Sequence, residues 1–147
     1  MITSQPLNTR KPVNVLMVED NQADVFLMKE YLKEFIFPLH ICVARDGEEA
    51  LTALRQSLCF SSKQDPDFIL LDLNLPKMDG REVLAQIKAD PGLKHIPVLI
   101  LTSSTNEQDK ITAHQNHATR YLQKPNSLEH YTTVVKSIEE FWLKNIS

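Results

Sequence analysis

The sequence predicts an α/β fold in which a doubly wound sheet of five parallel strands is covered by five helices. Short, continuous apolar runs that end in polar residues recur along the chain, as expected of strands buried on both faces. Stretches with helical periodicity lie between these runs, and strand and helix alternate five times. Because a helix follows each strand, we expect neighbouring strands to be parallel and to be joined by right-handed crossovers.

The strands are predicted from the apolar runs alone. The fifth run is the weakest, because it is the most polar. In chain order the predicted strands are Val13 to Val18, Leu39 to Ala44, Phe68 to Leu71, Ile96 to Leu101 and Thr119 to Leu122.

The helices are predicted from apolar spacing and from capping residues. Asn21 and Asp46 can cap the first two helices, because their side chains can accept hydrogen bonds from free backbone N–H groups. The later helices begin after Gly80, at Asn106 and at Ser127. Inward-facing positions are expected at Val25, Met28, Leu32 and Phe35, at Ala50, Leu51, Leu54 and Leu58, and at Val83, Leu84 and Ile87.

Length and composition are those of one ordinary globular domain. The chain has 147 residues, of which 42% are apolar, and a net charge of −3, which offers no general attraction to nucleic acid or to an anionic membrane. No apolar run is long enough to span a bilayer, and the first residues do not resemble a signal peptide, so we expect a cytoplasmic protein. Residues 1–12 are expected to form a flexible tail and residues 13–147 the domain.

The two cysteines, Cys42 and Cys59, show no spacing typical of a metal site or a disulfide framework. We expect both to be small apolar fillers rather than disulfide partners.

Polar residues follow four of the five predicted strands. They are Glu19 and Asp20, Asp72, Thr102 and Ser103, and Lys124 and Pro125. The carboxyl ends of parallel strands meet at the edge of the sheet where ligands bind, so these side chains are expected to lie together. Three carboxylates at one edge would repel one another unless a cation lay among them, and oxygen ligands of this kind select a hard divalent ion such as Mg²⁺.

Phosphoryl transfer is the chemistry that fits this set of residues. Asp72 is the candidate nucleophile, because carboxylates can form acyl phosphates. The charge of an incoming phosphoryl group would be neutralised by the metal, the Lys124 ammonium and the Thr102 hydroxyl. Each residue alone could be an ordinary cap or surface charge, but their combination at four strand ends indicates a common site.

Four segments resemble, in the same order, the receiver domain of two-component response regulators. They are residues 18–21 (VEDN), 70–80 (LLDLNLPKMDG), 101–104 (LTSS) and 121–125 (YLQKP). The resemblance covers about residues 13–144 and implies the flavodoxin-like strand order 2-1-3-4-5.

The resemblance also implies a role for each residue of the acidic edge. Asp72 would be the phosphoacceptor. Glu19 and Asp20 would be the acidic pair that holds Mg²⁺, together with Asp72 and the main-chain carbonyl of Asn74.

The remaining residues of the site would act on the phosphoryl group and on the switch. By the same resemblance, Thr102 would be the switch hydroxyl, and Tyr121 would be the aromatic residue whose rotamer follows the switch. Lys124 would be the phosphate-binding lysine, preceding a cis bond to Pro125.

Longer segments are similar to the single-domain response regulators that partner cyanobacterial phytochromes. They are residues 72–84 (DLNLPKMDGREVL), 94–98 (KHIPV) and 138–143 (IEEFWL). This similarity implies that a light-regulated histidine kinase donates the phosphoryl group. The signal is then expected to leave through contact with an unidentified downstream protein, and the chain is expected to be a phosphoacceptor rather than a turnover enzyme.

The last predicted helix has a broader apolar face than one side of a helix usually buries. Its core stripe consists of Leu128, Val135, Ile138 and Trp142. The residues that widen this stripe are Tyr131, Val134, Phe141 and Leu143. We therefore expect a homodimer contact that includes Tyr131, Val134, Phe141 and Trp142. The alternative is that Phe141 and Trp142 cap the core of their own domain.

Three other functions fit part of the pattern. A phosphohydrolase that uses Asp72 as a transient nucleophile would need an acid two positions later, where Asn74 stands. A flavin or nucleotide module would need a phosphate-binding loop after the first strand, where Glu19 and Asp20 would repel phosphate. A degenerate receiver that served only as a binding platform would not need the complete acceptor set.

Overall fold

The computed structural model describes residues 11–60 and 64–146 and contains the five predicted strands and five predicted helices. The first ten residues of the expected tail, 1–12, lie outside the described residues. The elements are β1 (Val13–Val18), α1 (Gln22–Leu32), β2 (Leu39–Ala44), α2 (Gly47–Gln56), β3 (Phe68–Leu71), α3 (Gly80–Ala89), β4 (Val98–Thr102), α4 (Glu107–Gln115), β5 (Arg120–Gln123) and α5 (Leu128–Ile146).

The sheet has the predicted topology. Its strands are all parallel and follow the order β2-β1-β3-β4-β5. β1 and β3 lie at the centre and are buried along their whole length, as is β4. The predicted fold class is therefore confirmed, and the strand ends that carry polar residues lie next to one another.

Alternate residues of the central strands point into two separate cores. Val15 and Met17 of β1 belong to the core that α1 and α5 cover. Leu16 and Val18 belong to the core that α2, α3 and α4 cover. Helices on both faces explain why these strands are continuously apolar rather than alternating.

The helix caps lie where the sequence predicts them. Asn21, Asp46 and Asn106 each accept a backbone N–H of the first turn of α1, α2 and α4, respectively. Asp79 caps α3 by accepting the N–H of Arg81. The caps of α1, α2 and α4 begin these helices shortly after β1, β2 and β4 end, whereas a longer loop connects β3 to α3.

Two leucines expected in the core are exposed. Leu58 is 63% exposed, because α2 ends at Gln56 and Ser57 adopts a left-handed conformation that turns the chain off the helical path. Leu128, 61% exposed, is the first residue of α5 and lies beyond the apolar interior.

The expectation for the two cysteines is wrong. Cys42 of β2 and Cys59, which follows α2, form a disulfide whose Cα atoms are 5.6 Å apart. Their separation of 17 residues does not prevent pairing, because α2 runs antiparallel to β2 across the face of the sheet and returns the chain to it. The loop after α2 is thus tied to the edge strand of the sheet.

The broad apolar face of α5 is covered within its own chain. Tyr131, Val134, Phe141 and Trp142 are all buried within their own chain. α5 lies in the angle between the sheet and α1, so two neighbours cover adjacent sides of the helix. Its aromatic contacts are Tyr131 stacked on Tyr31, and Phe141 and Trp142 packed on Phe68.

Within residues 11–60 and 64–146, no helix is both long and apolar enough to cross a membrane.

Candidate functional site

Three carboxylates converge at the carboxyl edge of the sheet. Glu19 and Asp20 follow β1, and Asp72 follows β3, the neighbouring strand. The Glu19 N–H donates to the carbonyl of Ala44, and the Asp72 N–H donates to that of Val18, so the sheet hydrogen bonds extend into the site. One carboxylate oxygen from each of the three acids lies within 4.8 Å of the others.

Lys124 provides the positive charge of this edge. Its Nζ lies 2.6 Å from Glu19 Oε1, 2.8 Å from Asp72 Oδ2 and 2.9 Å from Asp24 Oδ2. Glu19 and Asp72 are buried, and the Lys124 side chain is only 16% exposed. Short contacts between buried opposite charges compensate the desolvation of each partner.

The pKa values of this cluster are perturbed in consistent directions. Burial raises the pKa of the Glu19 carboxyl, and the hydrogen bond from Lys124 only partly offsets this effect. Burial alone would lower the pKa of Lys124, but its hydrogen bonds to Asp72, Glu19 and Asp24 outweigh burial and raise that pKa. Lys124 therefore remains a cation in this cluster.

Thr102 ends β4 on the other side of Asp72 and is fully buried. Its hydroxyl oxygen accepts two long hydrogen bonds, from Asn74 Nδ2 at 3.4 Å and from the Ser104 N–H at 3.4 Å. The backbone N–H of Asn74 donates to Asp72 Oδ1 at 3.1 Å. Asn74 therefore bridges the Asp72 carboxylate and the Thr102 hydroxyl.

Tyr121 lies on β5 and contacts the loop that follows Thr102. Its hydroxyl donates to the carbonyl of Ser104 at 3.1 Å, and the half-buried ring packs against the core covered by α2, α3 and α4. The ring is therefore coupled to this loop through the main chain of Ser104.

An ion pair between α3 and α4 holds the same loop. Arg81 Nε and Nη2 donate to Asp109 Oδ1 and Oδ2 at 2.7 and 2.6 Å. The Ser104 hydroxyl donates to Asp109 Oδ2 at 2.6 Å. The Arg81 hydrogen bonds, followed by that from Ser104, lower the pKa of Asp109 to about 2, and the same ion pair raises the pKa of Arg81.

Gly80 closes the loop that carries Asp72. Its N–H donates to the carbonyl of Leu73 at 2.9 Å, and a Cβ at this position would overlap the carbonyl of Asp72 and the Cα of Leu73. Only glycine allows α3 to begin this close to the acceptor.

The bond between Lys124 and Pro125 is trans, contrary to the cis bond that the family resemblance implied, since no described peptide bond is cis. The Lys124 N–H donates to the carbonyl of Thr102 at 2.8 Å, which holds the lysine beside β4. The ammonium reaches the carboxylates from this trans conformation, the more stable isomer of most X-Pro bonds.

Comparison with known families decides which protein class this edge belongs to. The family model of the response regulator receiver domain matches residues 15–136. The chain belongs to the response regulator receiver family. The match includes the acidic edge, Asp72, Thr102 and Lys124.

Two named relatives show which response regulators this receiver resembles in sequence. Response regulator Rcp1 of Synechocystis sp. is 44% identical over 136 residues, which cover 92% of each chain. The probable methanogenesis regulatory protein FilR2 of Methanothrix harundinacea is 42% identical over 137 residues, covering 93% of this chain and 88% of FilR2. The expected resemblance to phytochrome response regulators is confirmed, although a receiver named for another process is nearly as similar.

Solved structures agree with the sequence comparison. The phosphorylated cyanobacterial phytochrome response regulator RcpA is 46% identical and superposes with a TM-score of 0.83, covering 92% of this receiver and 96% of RcpA. The Mn²⁺-bound form of Rcp1 is 44% identical with a TM-score of 0.82, covering 92% and 98% of the two chains.

Three residues at the receiver site were missed by sequence reasoning. Asp24 is not among the predicted site residues, yet its carboxylate contacts Lys124. Its place in the first turn of α1, which begins directly after the acidic pair, is a usable signal. Arg81 and Asp109 gave no signal, because 28 residues separate them and nothing local indicates their pairing.

Proposed function

We propose that this receiver accepts a phosphoryl group on Asp72 from a phosphohistidine of a histidine kinase. The P–N bond of the phosphohistidine breaks, a P–O bond forms on the Asp72 carboxylate, and the imidazole leaves. The observation that carries the proposal is the pairing of a buried carboxylate at the end of β3 with the Lys124 ammonium 2.8 Å away. A buried acid–lysine pair at the exit of a central strand suits a nucleophile and its charge-neutralising partner.

The donor set of the edge fits a divalent cation. Glu19, Asp20 and Asp72 each offer an oxygen within 4.8 Å of the others, which is the ligand chemistry that Mg²⁺ prefers. We assign Mg²⁺ to these three acids, with the main-chain carbonyl of Asn74 as a further ligand. When bound, the cation neutralises phosphoryl charge.

The side chains of the chain itself position and neutralise the phosphoryl group. Lys124 is held by three carboxylates and remains charged, so it can move from sharing Asp72 to binding a phosphoryl oxygen without a proton change. The Thr102 hydroxyl is held only by two 3.4 Å contacts and can turn toward a phosphoryl group on Asp72. Movement of the loop after Thr102 is transmitted to Tyr121 through the carbonyl of Ser104. Protein contact, rather than turnover of a substrate, then carries the signal.

The named relatives support a proposal for the partners. We propose a light-regulated phytochrome kinase as phosphodonor, since RcpA is described as a cyanobacterial phytochrome response regulator. The proposal includes a cytoplasmic location, an unidentified downstream protein, and no nucleic-acid or membrane partner, in keeping with the net charge of −3. A homodimer through α5 would need residues other than Tyr131, Val134, Phe141 and Trp142, which their own chain buries.

Intact mass after incubation with acetyl phosphate tests the proposed function. The wild-type chain is expected to gain one phosphoryl group in the presence of Mg²⁺ and none with EDTA, and Asp72→Asn is expected to gain none. The matched control is Asp65→Asn, which makes the same change at an exposed position before β3. This control should gain mass as the wild type does.

Absence of a mass gain in the wild type would refute phosphoacceptor function and favour a binding platform. A gain that persists in Asp72→Asn would place the acceptor elsewhere.

A further inference from the structure

The loop between β4 and α4 is bonded more strongly to Asp109 of α4, which pairs with Arg81 of α3, than to Thr102 at the end of β4. Ser104, two residues after Thr102, is engaged through its N–H, its hydroxyl and its carbonyl. The hydroxyl bond to Asp109 is 2.6 Å long, whereas the N–H bond to Thr102 is 3.4 Å long. Hydrogen bonds to a charged acceptor at such short distances are much stronger than neutral bonds at 3.4 Å.

Asp109 is itself held rigidly. Arg81 donates to both carboxylate oxygens of Asp109 in a bidentate pair. Its Nη1 also donates to both carboxylate oxygens of Asp79, the cap of α3. The Asp109 side chain is 12% exposed and that of Arg81 is 32% exposed, so the pair is partly shielded from solvent. The loop is therefore attached to α3, an element that also begins next to the acceptor loop.

α4 contributes little apolar packing of its own. Within α4, Ala113 is the single buried side chain, and the first turn is held mainly by the cap Asn106 and by Asp109. The position of the β4–α4 loop thus depends on a few polar contacts, and a change in one of them can shift it.

We propose that Asp109, held by Arg81, is a positioning residue that keeps Ser104, and with it Thr102, in the resting arrangement. This inference rests on the proposed function and adds a determinant of its switch. The Thr102 hydroxyl is bonded to the Ser104 N–H, so its movement toward a phosphoryl group on Asp72 is coupled to the main chain at Ser104, and the bond from Ser104 to Asp109 resists displacement of that main chain. The Arg81–Asp109–Ser104 contacts therefore favour the unphosphorylated conformation, and their loss shifts the population toward the phosphorylated one.

Binding of beryllium fluoride in the presence of Mg²⁺, measured by calorimetry on the full chain, tests this inference. Beryllium fluoride is a stable stand-in for a phosphoryl group on a carboxylate. We expect Ser104→Ala and Asp109→Asn to bind it about five-fold more tightly than the wild type, a shift within the usual range of coupling between sites. Ser104→Ala carries no charge change, so electrostatic attraction to the anion cannot explain its effect.

Two control variants separate positioning from general effects. Ser104→Thr keeps the hydroxyl and should bind as the wild type does. Glu107→Gln makes the same charge change as Asp109→Asn in the same turn of α4, at an exposed carboxylate paired only with Lys110, and should also leave binding unchanged.

Unchanged or weaker binding by Ser104→Ala would overturn the inference, as would an equal gain in Glu107→Gln. Both results leave the proposed function intact as long as the wild type binds beryllium fluoride with Mg²⁺ and Asp72→Asn does not. Failure of the wild type to bind would instead count against the proposed function.

Discussion

The two sides of the acceptor carboxylate are held in contrasting ways. On the side of β1 and β3, Lys124 Nζ contacts three carboxylates at 2.6 to 2.9 Å, and the acids are fixed by sheet hydrogen bonds. On the side of β4, the Thr102 hydroxyl has two contacts of 3.4 Å. The first side is preorganised by charge, and the second is held by polar contacts that are easily exchanged.

The difference shows how one small domain can combine fixed chemistry with a movable output. The charges around Asp72 are buried and compensated, which makes their displacement costly. The Thr102 hydroxyl, which we propose responds to phosphorylation, is buried but weakly bonded, and the helix beyond it has one buried side chain. Movement is thus expected on the side of β4 and α4, not at the acids.

The largest expected effect is on the charged side. Lys124→Met keeps most of the side-chain volume but leaves Glu19 and Asp72 buried without their cationic partner. We expect the free energy of unfolding, measured by urea titration in EDTA, to fall by about 3 kcal/mol. Lys110→Met, which removes an exposed lysine 3.6 Å from Glu107, should change it by less than about 0.5 kcal/mol.

Equal losses in the two lysine variants would contradict the view that Lys124 neutralises the acidic edge. Addition of Mg²⁺ should stabilise Lys124→Met more than the wild type, because the cation replaces the missing positive charge among the acids.

The next effect concerns the disulfide that fixes β2 to the loop after α2. It closes a loop with a sequence separation of 17, so its removal in Cys42→Ser is expected to lower the free energy of unfolding by about 2 kcal/mol. A reducing agent should lower the stability of the wild type to that of the variant and leave the variant unchanged. Insensitivity of the wild type to reduction would show that the bond does not form in solution.

The smallest effect is expected from acid titration on the movable side. The pKa of Asp109 is lowered from 3.8 to about 2, so its ion pair stabilises the fold above pH 4 and this contribution is lost as the pH falls toward 2. Arg81 is about one-third exposed, so we expect a modest contribution of about 1 kcal/mol. The difference in unfolding free energy between wild type and Asp109→Asn should shrink between pH 4 and pH 2.5.

A difference in unfolding free energy that stayed constant over this pH range would show that the ionised Asp109 carboxylate is not the cause of the difference between the wild type and Asp109→Asn. Glu107→Gln serves again as the control, since its exposed ion pair with Lys110 should contribute little at any pH.

The fold could be predicted closely because its signals are local. β1, β2 and β3 have the predicted bounds, since each coincides with a predominantly apolar run that polar residues end. β4 begins two residues later than expected, because Pro97 cannot donate a strand hydrogen bond and displaces the start to Val98. β5 is offset by one residue, as its polar composition allows.

The site was only partly predictable. Glu19, Asp72, Thr102 and Lys124 were identifiable because each directly follows or ends a strand, and strand ends converge by topology. The Arg81–Asp109 pair could not be foreseen, because it depends on how α3 and α4 lie relative to each other. The buried face of α5 was misjudged for a similar reason: its width reflects a second covering neighbour, α1, which periodicity within one helix cannot reveal.

The overlap that a side chain at Gly80 would make with the main chain of Asp72 and Leu73 has a consequence for mutational tolerance. A library of random variants screened for phosphorylation should contain almost no survivors at this position, even with alanine. Gly92 offers an internal comparison, because a Cβ there would meet only the flexible carboxylate of Asp90, at 3.3 Å. Alanine at position 92 should therefore survive the selection that eliminates alanine at position 80.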